Sequence, residues 1–302
     1  MSEHPPPFRS IGIIGKPGDR AVFEILERLL PILQAHSCRT RIDATTVAAG
    51  GCADHLRAPR AELLEHSDLV IAIGGDGTLI HVARALAGHP NAALMGINRG
   101  RLGFLVDVHP QHLHEISDVL AGRCVIDERL ILTVEVRHRD GHISGRAVAV
   151  NEVVIHRWNT ARMIELSTWI NDQPLSEHRS DGLIVATPTG STAYALAGGG
   201  PIVHPNLHAM VLVPISPHSL SNRPLVIDSA SEVEIRVHPE FIEQVRVSCD
   251  SQHELALSAE SRILVRAHPS PLRMVHPPGY SYFNILRAKL GWGTPPNHPE
   301  RV

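Results

Sequence analysis

Five consecutive apolar residues, Leu69 to Ile73, run directly into Gly74-Gly75-Asp76-Gly77-Thr78, after which Leu79, Val82, Ala83 and Leu86 recur at helical spacing. An unbroken apolar run of this length suits a strand buried on both faces, the situation of strands in a parallel sheet covered by helices. The first third of the chain repeats the theme. Ile11 to Gly15 is a short apolar run, Gly15-Lys16-Pro17-Gly18 reads as a strand-to-helix loop, and Val22, Ile25, Leu26, Leu29 and Leu33 follow at helical spacing. Ala92 to Ile97 reads as another strand and Gln111 to Leu120 as another helix. Strand, turn and helix in this order imply a doubly wound α/β domain over residues 1–127.

Beyond Asp127 the period changes. Leu130, Leu132, Val134 and Val136 alternate with other residues, and Asp140-Gly141 separates them from an apolar stretch, Ala147 to Ile155, which is a hairpin signal. Met163 to Ile170, Gly182 to Ala186, Met210 to Val213, Val233 to Val237 and Val245 to Ser248 continue the strand-rich pattern. A mainly β, sandwich-like domain is expected over 128–275. The segment 276–302 carries a helical stretch, Ser281 to Leu290, expected to return to the first domain. A chain of 302 residues has room for both domains.

Composition narrows the function classes. A formal charge of -3 and 4% aromatic residues supply neither a basic face nor a base-stacking platform, so nucleic acid is not an expected partner. The longest apolar runs are strand-length, too short for a membrane span. Cys38, Cys52, Cys124 and Cys249 form no Cys-x-x-Cys pair, and the polar, proline-rich start lacks an apolar signal core, so a reducing cytoplasm is expected. His109, His112 and His114 lack the spacing of a helical metal site, and no protein metal centre is expected.

Three clusters can carry chemistry. At Gly74 to Thr78 a buried strand ends in glycines and a helix begins, so backbone N–H groups and the helix dipole converge on a ready anion site. Gly74, Gly75, Gly77 and Thr78 would hold phosphate oxygens. Asp76 is out of place in a phosphate cradle unless it holds a cation or accepts a proton from an attacking hydroxyl. The alternative makes Asp76 or Thr78 an ordinary helix N-cap. The second cluster, Thr187-Pro188-Thr189-Gly190-Ser191-Thr192-Ala193-Tyr194, offers hydroxyl and N–H donors to sugar, base or phosphate. Thr189 stands where a nucleophile elbow needs its first glycine, which argues against Ser191 as a hydrolase nucleophile, and Thr192 alternatively caps a short helix. The third, Asn151-Glu152, can grip a ribose diol or Mg²⁺; otherwise Glu152 is an exposed strand residue.

Taken together, GGDGT at 74–78, GINRGRLGFL at 96–105, NEV at 151–153, RSDGLIVATPTGSTAY at 179–194, GGP at 199–201 and SPHSLSNRPLVI at 216–227 resemble the bacterial NAD kinases. The resemblance runs from about residue 10 to 292 and includes the terminal YSYFNILRAKLGW. GGDGT alone also has relatives in lipid kinases and phosphofructokinases; the stretch from RSDG through TPTGSTAY is far more specific.

The resemblance implies an enzyme that phosphorylates the 2′-hydroxyl of the adenosine ribose of NAD⁺ with ATP, giving NADP⁺ and ADP. It implies that Asp76 is the general base, with Gly77 beside it, and that Asn151 and Glu152 bind the ribose and adenosine. Arg162, Arg179 and Asp181 would line the dinucleotide site, Asp181 reaching the nucleotide of a neighbouring subunit. Thr192, Ala193, Tyr194, Ala195, Leu196 and Ala197 would cradle adenine and sugar. Gln252 is a further binding candidate, although Asp250-Ser251-Gln252 stands where the family often has DGQ, and Ser251 adopts positive φ less readily than glycine. Asn171-Asp172-Gln173-Pro174 likewise lacks a glycine common in that turn.

Mg²⁺ or another divalent cation is expected with ATP, polyphosphate is an alternative donor, and a homodimer or homotetramer is implied. Free carboxylates titrate near pH 4, so acceleration should come mainly from alignment and charge neutralisation. Two rival readings are a lipid or sugar kinase using the same turn and a non-catalytic dinucleotide-binding regulator. The first should show an interfacial apolar helix, which the sequence lacks; the second would not need Asp76.

Overall fold

The computed structural model describes residues 8–47, 53–100, 103–106, 108–219 and 221–292. The chain divides into two units, Met1–Asp127 with Arg273–Val302, and Glu128–Leu272.

In the first unit β1 (Ser10–Gly15) leads into α1 (Arg20–Ala35). The Asp19 carboxylate accepts the Ala21 N–H and caps the helix, and α1 buries Val22, Ile25, Leu26, Leu29 and Leu33, the residues its spacing selects. There follow β2 (Arg39–Asp43), β3 (Arg57–Ala58), α2 (Arg60–His66), β4 (Leu69–Ile73), α3 (Asp76–Leu86), β5 (Ala93–Ile97), α4 (Glu115–Leu120) and β6 (Val125–Arg129). The predicted helix over 111–120 is instead a 3₁₀ turn, Pro110–His112, followed by the short α4. His109 Nδ1 caps that turn by accepting the Gln111 N–H.

The second unit opens with β7 (Leu132–Arg137), β8 (Ile143–Ala149), β9 (Glu152–Arg157), β10 (Ile164–Ile170), β11 (Gln173–Ser180) and β12 (Gly182–Ala186). Then come the four-residue helix α5 (Tyr194–Ala197), β13 (Ala209–Ile215), β14 (Leu225–Asp228), β15 (Val233–Val237), β16 (Val245–Cys249), β17 (His253–Leu255) and β18 (Arg262–Ala267). β19 (Leu272–His276) and α6 (Tyr282–Leu290) end the described chain.

The first unit holds one seven-stranded sheet in the order β3-β2-β1-β4-β5-β19-β6. β4 lies between β1 and β5, parallel to both. All five of its residues are buried, the reason its sequence is uninterrupted by polar residues. This is a doubly wound sheet, and its ligand sites are expected beyond the carboxyl ends of the strands. The chain rejoins it through β19, which runs parallel to β5 with Arg273 opposite Ala93, so a strand precedes the helix read as the returning element.

The second unit stacks two six-stranded sheets, β11-β10-β15-β18-β7-β8 and β14-β13-β12-β9-β16-β17. Leu132, Val134, Val136, Ile155, Leu166, Leu183, Val185, Leu212, Ile235 and Val265 belong to the core of this sandwich. Ala147 to Ile155, read from sequence as one strand, is two: β8 ends at Ala149 and pairs with β7, while β9 begins at Glu152 and joins the other sheet beside β12 and β16. The break falls at Val150-Asn151. The β10–β11 turn manages without glycine because Asn171 and Asp172, at φ 50° and 62°, are residue types that tolerate the left-handed region.

Candidate active site

In the first unit the site is built at the carboxyl end of β4. The Gly74 N–H donates to the Ile97 carbonyl at 2.9 Å, tying the turn to the end of β5. A Cβ on Gly74 would lie 2.4 Å from Thr78 Oγ1, whereas a Cβ on Gly75 or Gly77 would meet nothing within 4 Å. The first glycine is therefore needed for packing, and the other two leave open space over a helix N-terminus.

Asp76 is the first residue of α3, and Gly75 occupies the N-cap with no side-chain cap. The capping alternative for Asp76 or Thr78 is thereby set aside. The Asp76 carboxylate reaches another segment instead. Its Oδ2 accepts the Phe104 N–H at 2.9 Å and its Oδ1 the Leu105 N–H at 3.2 Å. The approach is so close that a Cβ on Gly103 would lie 1.9 Å from Oδ1. Upstream in the same motif, buried Asn98 accepts the Gly100 N–H at 2.6 Å. GFL thus forms the wall that aims Asp76, a role its residue types alone do not disclose.

In the second unit three segments far apart in sequence form one knot. The Thr187 N–H donates to the Asn151 carbonyl at 2.8 Å, and its hydroxyl donates to the Val150 carbonyl at 2.7 Å while accepting the Gly190 N–H at 3.0 Å. A Cβ on Gly190 would lie 2.0 Å from the Asn151 carbonyl oxygen, so only glycine fits there. From the other side Asp250, buried in the β16–β17 turn, accepts the N–H groups of Val150, Asn151 and Glu152 at 2.9, 2.7 and 3.1 Å. Asp250 is the functional candidate that sequence reasoning missed; its place within the departed DGQ motif was the available signal.

Ser191 is wholly buried, its hydroxyl donating to the Pro188 carbonyl at 2.6 Å and accepting the Val203 N–H at 2.9 Å. That is a clamp, not a nucleophile. Thr192 closes the 3₁₀ turn by donating to the Thr189 carbonyl, and Ala193, not Thr192, stands at the N-cap of α5. Ala195 packs into the second unit's hydrophobic interior, Leu196 is half-buried, and Tyr194 and Ala197 face outward.

Glu152 is 3% exposed and not the solvated strand residue that sequence allowed. Burial and the neighbouring Asp250 charge push its carboxyl from 4.5 up to about 7, against the Tyr194 backbone N–H, which favours the ionised form. Among the described residues, Asn151 Oδ1, Glu152 Oε2 and Thr189 Oγ1 are buried without a hydrogen-bond partner. Buried polar atoms are rarely left this way, which makes these three candidates for contact with a ligand. A cavity of about 370 Å³ in the same unit is lined by Tyr194, Asp181, Arg157, His156, Ile215 and Ser251. In it Arg157 Nε meets Asp181 Oδ1 at 2.8 Å.

The structure does not bring every predicted residue to that cavity. Of the residues predicted to hold the dinucleotide, Asp181 and Tyr194 line it, whereas Asn151, Glu152, Thr192, Ala193 and 195–197 do not; Arg179 pairs with Glu165 at 3.0 Å and Arg162 with Glu240 at 3.7 Å, also away from it. Gln252 is exposed, its backbone N–H bonded to the Cys249 carbonyl.

Two stability predictions arise here. The folded protein holds a proton on Glu152 between about pH 4.5 and 7 that the unfolded chain has released, so this residue's contribution is full below pH 4.5 and is lost as pH rises through 7. Glu152→Gln should therefore raise stability at about pH 8 by ~1–3 kcal/mol and change little near pH 4.5, read by urea unfolding at both pH values. Ser251 sits at φ 53°. Ser251→Gly removes that strain at some cost in unfolded-state entropy, and a net gain of up to about 1 kcal/mol is expected in thermal unfolding.

A glycine turn aiming one carboxylate from a helix N-terminus, on a chain that also carries a polar nucleoside-sized cavity, marks a phosphotransferase of the two-domain kinase type. Residues 11–123 match the model of the ATP-NAD kinase N-terminal domain, and 150–277 that of the ATP-NAD kinase C-terminal domain. The NAD kinase of Halorhodospira halophila is 65% identical over 298 residues, 98% of this chain and 97% of that protein. That of Pseudomonas putida is 44% identical over 289 residues, 95% and 97% of the two chains. Among solved structures, yeast NADH kinase complexed with NADH superposes with a TM-score of 0.87 at 24% identity, covering 98% of this chain and 91% of the other. An NAD kinase from Archaeoglobus fulgidus in complex with ATP gives 0.71 at 23%, covering 93% and 97%. The chain belongs to the NAD kinase family.

Proposed function

We infer that this protein is an ATP-dependent NAD kinase in which Asp76 is the general base. The observation that carries the assignment of the base is the two-point hold of its carboxylate by the Phe104 and Leu105 amides at the N-terminus of α3. A carboxylate fixed in this way loses no rotamer freedom when a hydroxyl arrives, and alignment of this kind is a principal source of rate acceleration in phosphoryl transfer. The 2′-hydroxyl gives its proton to Asp76, its oxygen bonds to the γ-phosphorus of ATP, and the bond from that phosphorus to the β-bridging oxygen breaks to release ADP. Gly74, Gly75, Gly77 and Thr78 are assigned to phosphate oxygens, Asn151 and Glu152 to the ribose and adenosine, and residues 192–197 to adenine and sugar. Arg162, Arg179, Asp181 and Gln252 keep their assignment to the dinucleotide as a proposal.

Among the described residues no group of three or more His, Cys, Asp or Glu side chains could hold a metal ion. Asp76, the carboxylate at the glycine turn, would help hold a Mg²⁺ brought in with ATP. When bound, such an ion neutralises charge on the transferring phosphates. Purified protein incubated with NAD⁺, ATP and Mg²⁺ should form NADP⁺ and ADP in equal amounts; no NADP⁺ at any enzyme concentration overturns the assignment. Replacing ATP by polyphosphate in the same assay decides the donor.

The second unit exposes the sheet edges β8, β11, β14 and β17 and apolar side chains including Trp158, Met163 and Leu207. Open edges and exposed apolar groups favour self-association. A homodimer or homotetramer formed through this unit is expected, with Asp181 reaching the neighbouring subunit's nucleotide. Light scattering at assay concentration should show at least a dimer; a fully active monomer overturns this. No helix among the described residues is long and apolar enough to cross a membrane, and a cytoplasmic location is proposed with the substrates.

A further inference from the structure

A second cavity, of about 300 Å³, lies within the β-rich unit between the inward faces of its two sheets. Its walls come from β10, β11, β12 and β13 and from the segment 221–225, and none of its lining residues belongs to the site described above. Most of the wall is apolar: Leu175, Leu183, Leu212, Pro214, Pro224 and Leu225. Three of the lining residues carry a polar atom left without a partner. Thr168 Oγ1, His178 Nε2 and Asn222 Nδ2 are buried without a hydrogen-bond partner among the described residues. Thr168 is 2% and His178 8% exposed, so bulk water does not serve them.

All three can donate. Asn222 Nδ2 is a donor only, and a threonine hydroxyl donates as readily as it accepts. Burial pushes His178 below its ordinary range, which keeps the imidazole neutral. The Ser176 hydroxyl stands 3.5 Å from its Nδ1, and acceptance there leaves Nε2 as the nitrogen that carries hydrogen. Arg223 adds a guanidinium to the lining, and no Asp or Glu is among the lining residues. An apolar chamber whose unpaired groups are donors, with a cation in its wall and no acid, is complementary to an acceptor that carries negative charge.

We propose that this cavity is a second small-molecule site, separate from the nucleotide residues, that takes a monocarboxylate with an apolar body of about one ring. The carboxylate accepts from Thr168, His178 and Asn222 in the field of Arg223, and the ring replaces water against Leu183 and Leu212. The site stands on its own geometry and does not depend on the kinase assignment.

Benzoate is the probe and benzamide, its near-isosteric uncharged amide, the control. Full-length protein with labelled leucine methyl groups is titrated with each, followed by NMR, with calorimetry for stoichiometry. Benzoate should bind once per chain and shift the Leu183 and Leu212 methyls, with benzamide at least about tenfold weaker. Thr168→Val preserves shape and removes one donor; it should weaken benzoate about tenfold and leave turnover of NAD⁺ unchanged. Arg223→Gln should weaken benzoate and bring it level with benzamide. The proposal is overturned if those methyls do not move by about 20 mM benzoate, near the weakest affinity worth assigning to a ligand of this size. It is equally overturned if benzamide binds as well as benzoate, if Thr168→Val changes nothing, or if soaked crystals hold only water there.

Discussion

Asp76→Asn should lower kcat by about 10²–10⁴-fold while NAD⁺ affinity stays within a few-fold of wild type. The helix cap is untouched, because Gly75 and not Asp76 occupies it. What changes is the reach to the neighbouring segment. Each carboxylate oxygen now accepts one backbone N–H, from Phe104 and from Leu105. The asparagine carbonyl can keep one of them, and its NH₂ group must face the other. One unsatisfied amide costs about 1–3 kcal/mol of stability. A domain with an ordinary 5–15 kcal/mol in hand stays almost entirely folded after that loss, so unfolding cannot account for a hundredfold fall in kcat. Melting temperature, calorimetric NAD⁺ affinity and kcat from one preparation separate the effects. A kcat within about threefold of wild type, far short of the range for a lost base, overturns Asp76 as the base.

Asp250→Asn is expected to act on binding instead of chemistry. In the native chain Oδ1 accepts from Asn151 and Glu152 and Oδ2 from Val150. Asparagine can reproduce the Oδ1 pair, but its NH₂ then confronts the Val150 N–H, a donor against a donor. Stability should fall by about 1–3 kcal/mol, and the turn that presents Asn151 and Glu152 should loosen. KM for NAD⁺ should rise about tenfold or more, while KM for ATP stays near wild type. The same change removes the charge that helps hold the Glu152 proton, so the pH dependence of NAD⁺ binding should move to lower pH. Equal changes in both KM values, or an unmoved pH profile, would reduce Asp250 to a general structural part. Asp250→Ala strands three amides and should be markedly less stable than Asp250→Asn.

These variants mark where local reading succeeds. The helical face of α1, the continuous burial of β4 and the glycine turn before α3 are set within about fifteen residues of chain, and periodicity finds them. The loop 187–194 stands out in the sequence as a cluster of hydroxyls, yet nothing local says which of them face inward. The sequence argues only against Ser191 as a nucleophile; its part as a clamp is visible once its hydroxyl is seen shared between Pro188 and Val203.

Residue order is enough to establish the two kinds of domain and the glycine turn with its one carboxylate, and its motifs point to the family. The domains and the turn follow from steric and hydrophobic rules that act between near neighbours in the chain, whereas the family follows from the resemblance of the motifs. Only folding reveals that Asp76 is aimed by Phe104 and Leu105, that Glu152 is buried beside Asp250, and that the strand read through Val150-Asn151 breaks there to change sheets. Asp250 lies 98 to 100 residues from the amides it holds. No local spacing encodes such a contact, because strand pairing and register are set by packing across the sandwich, where a side chain's surroundings come from other sheets and turns.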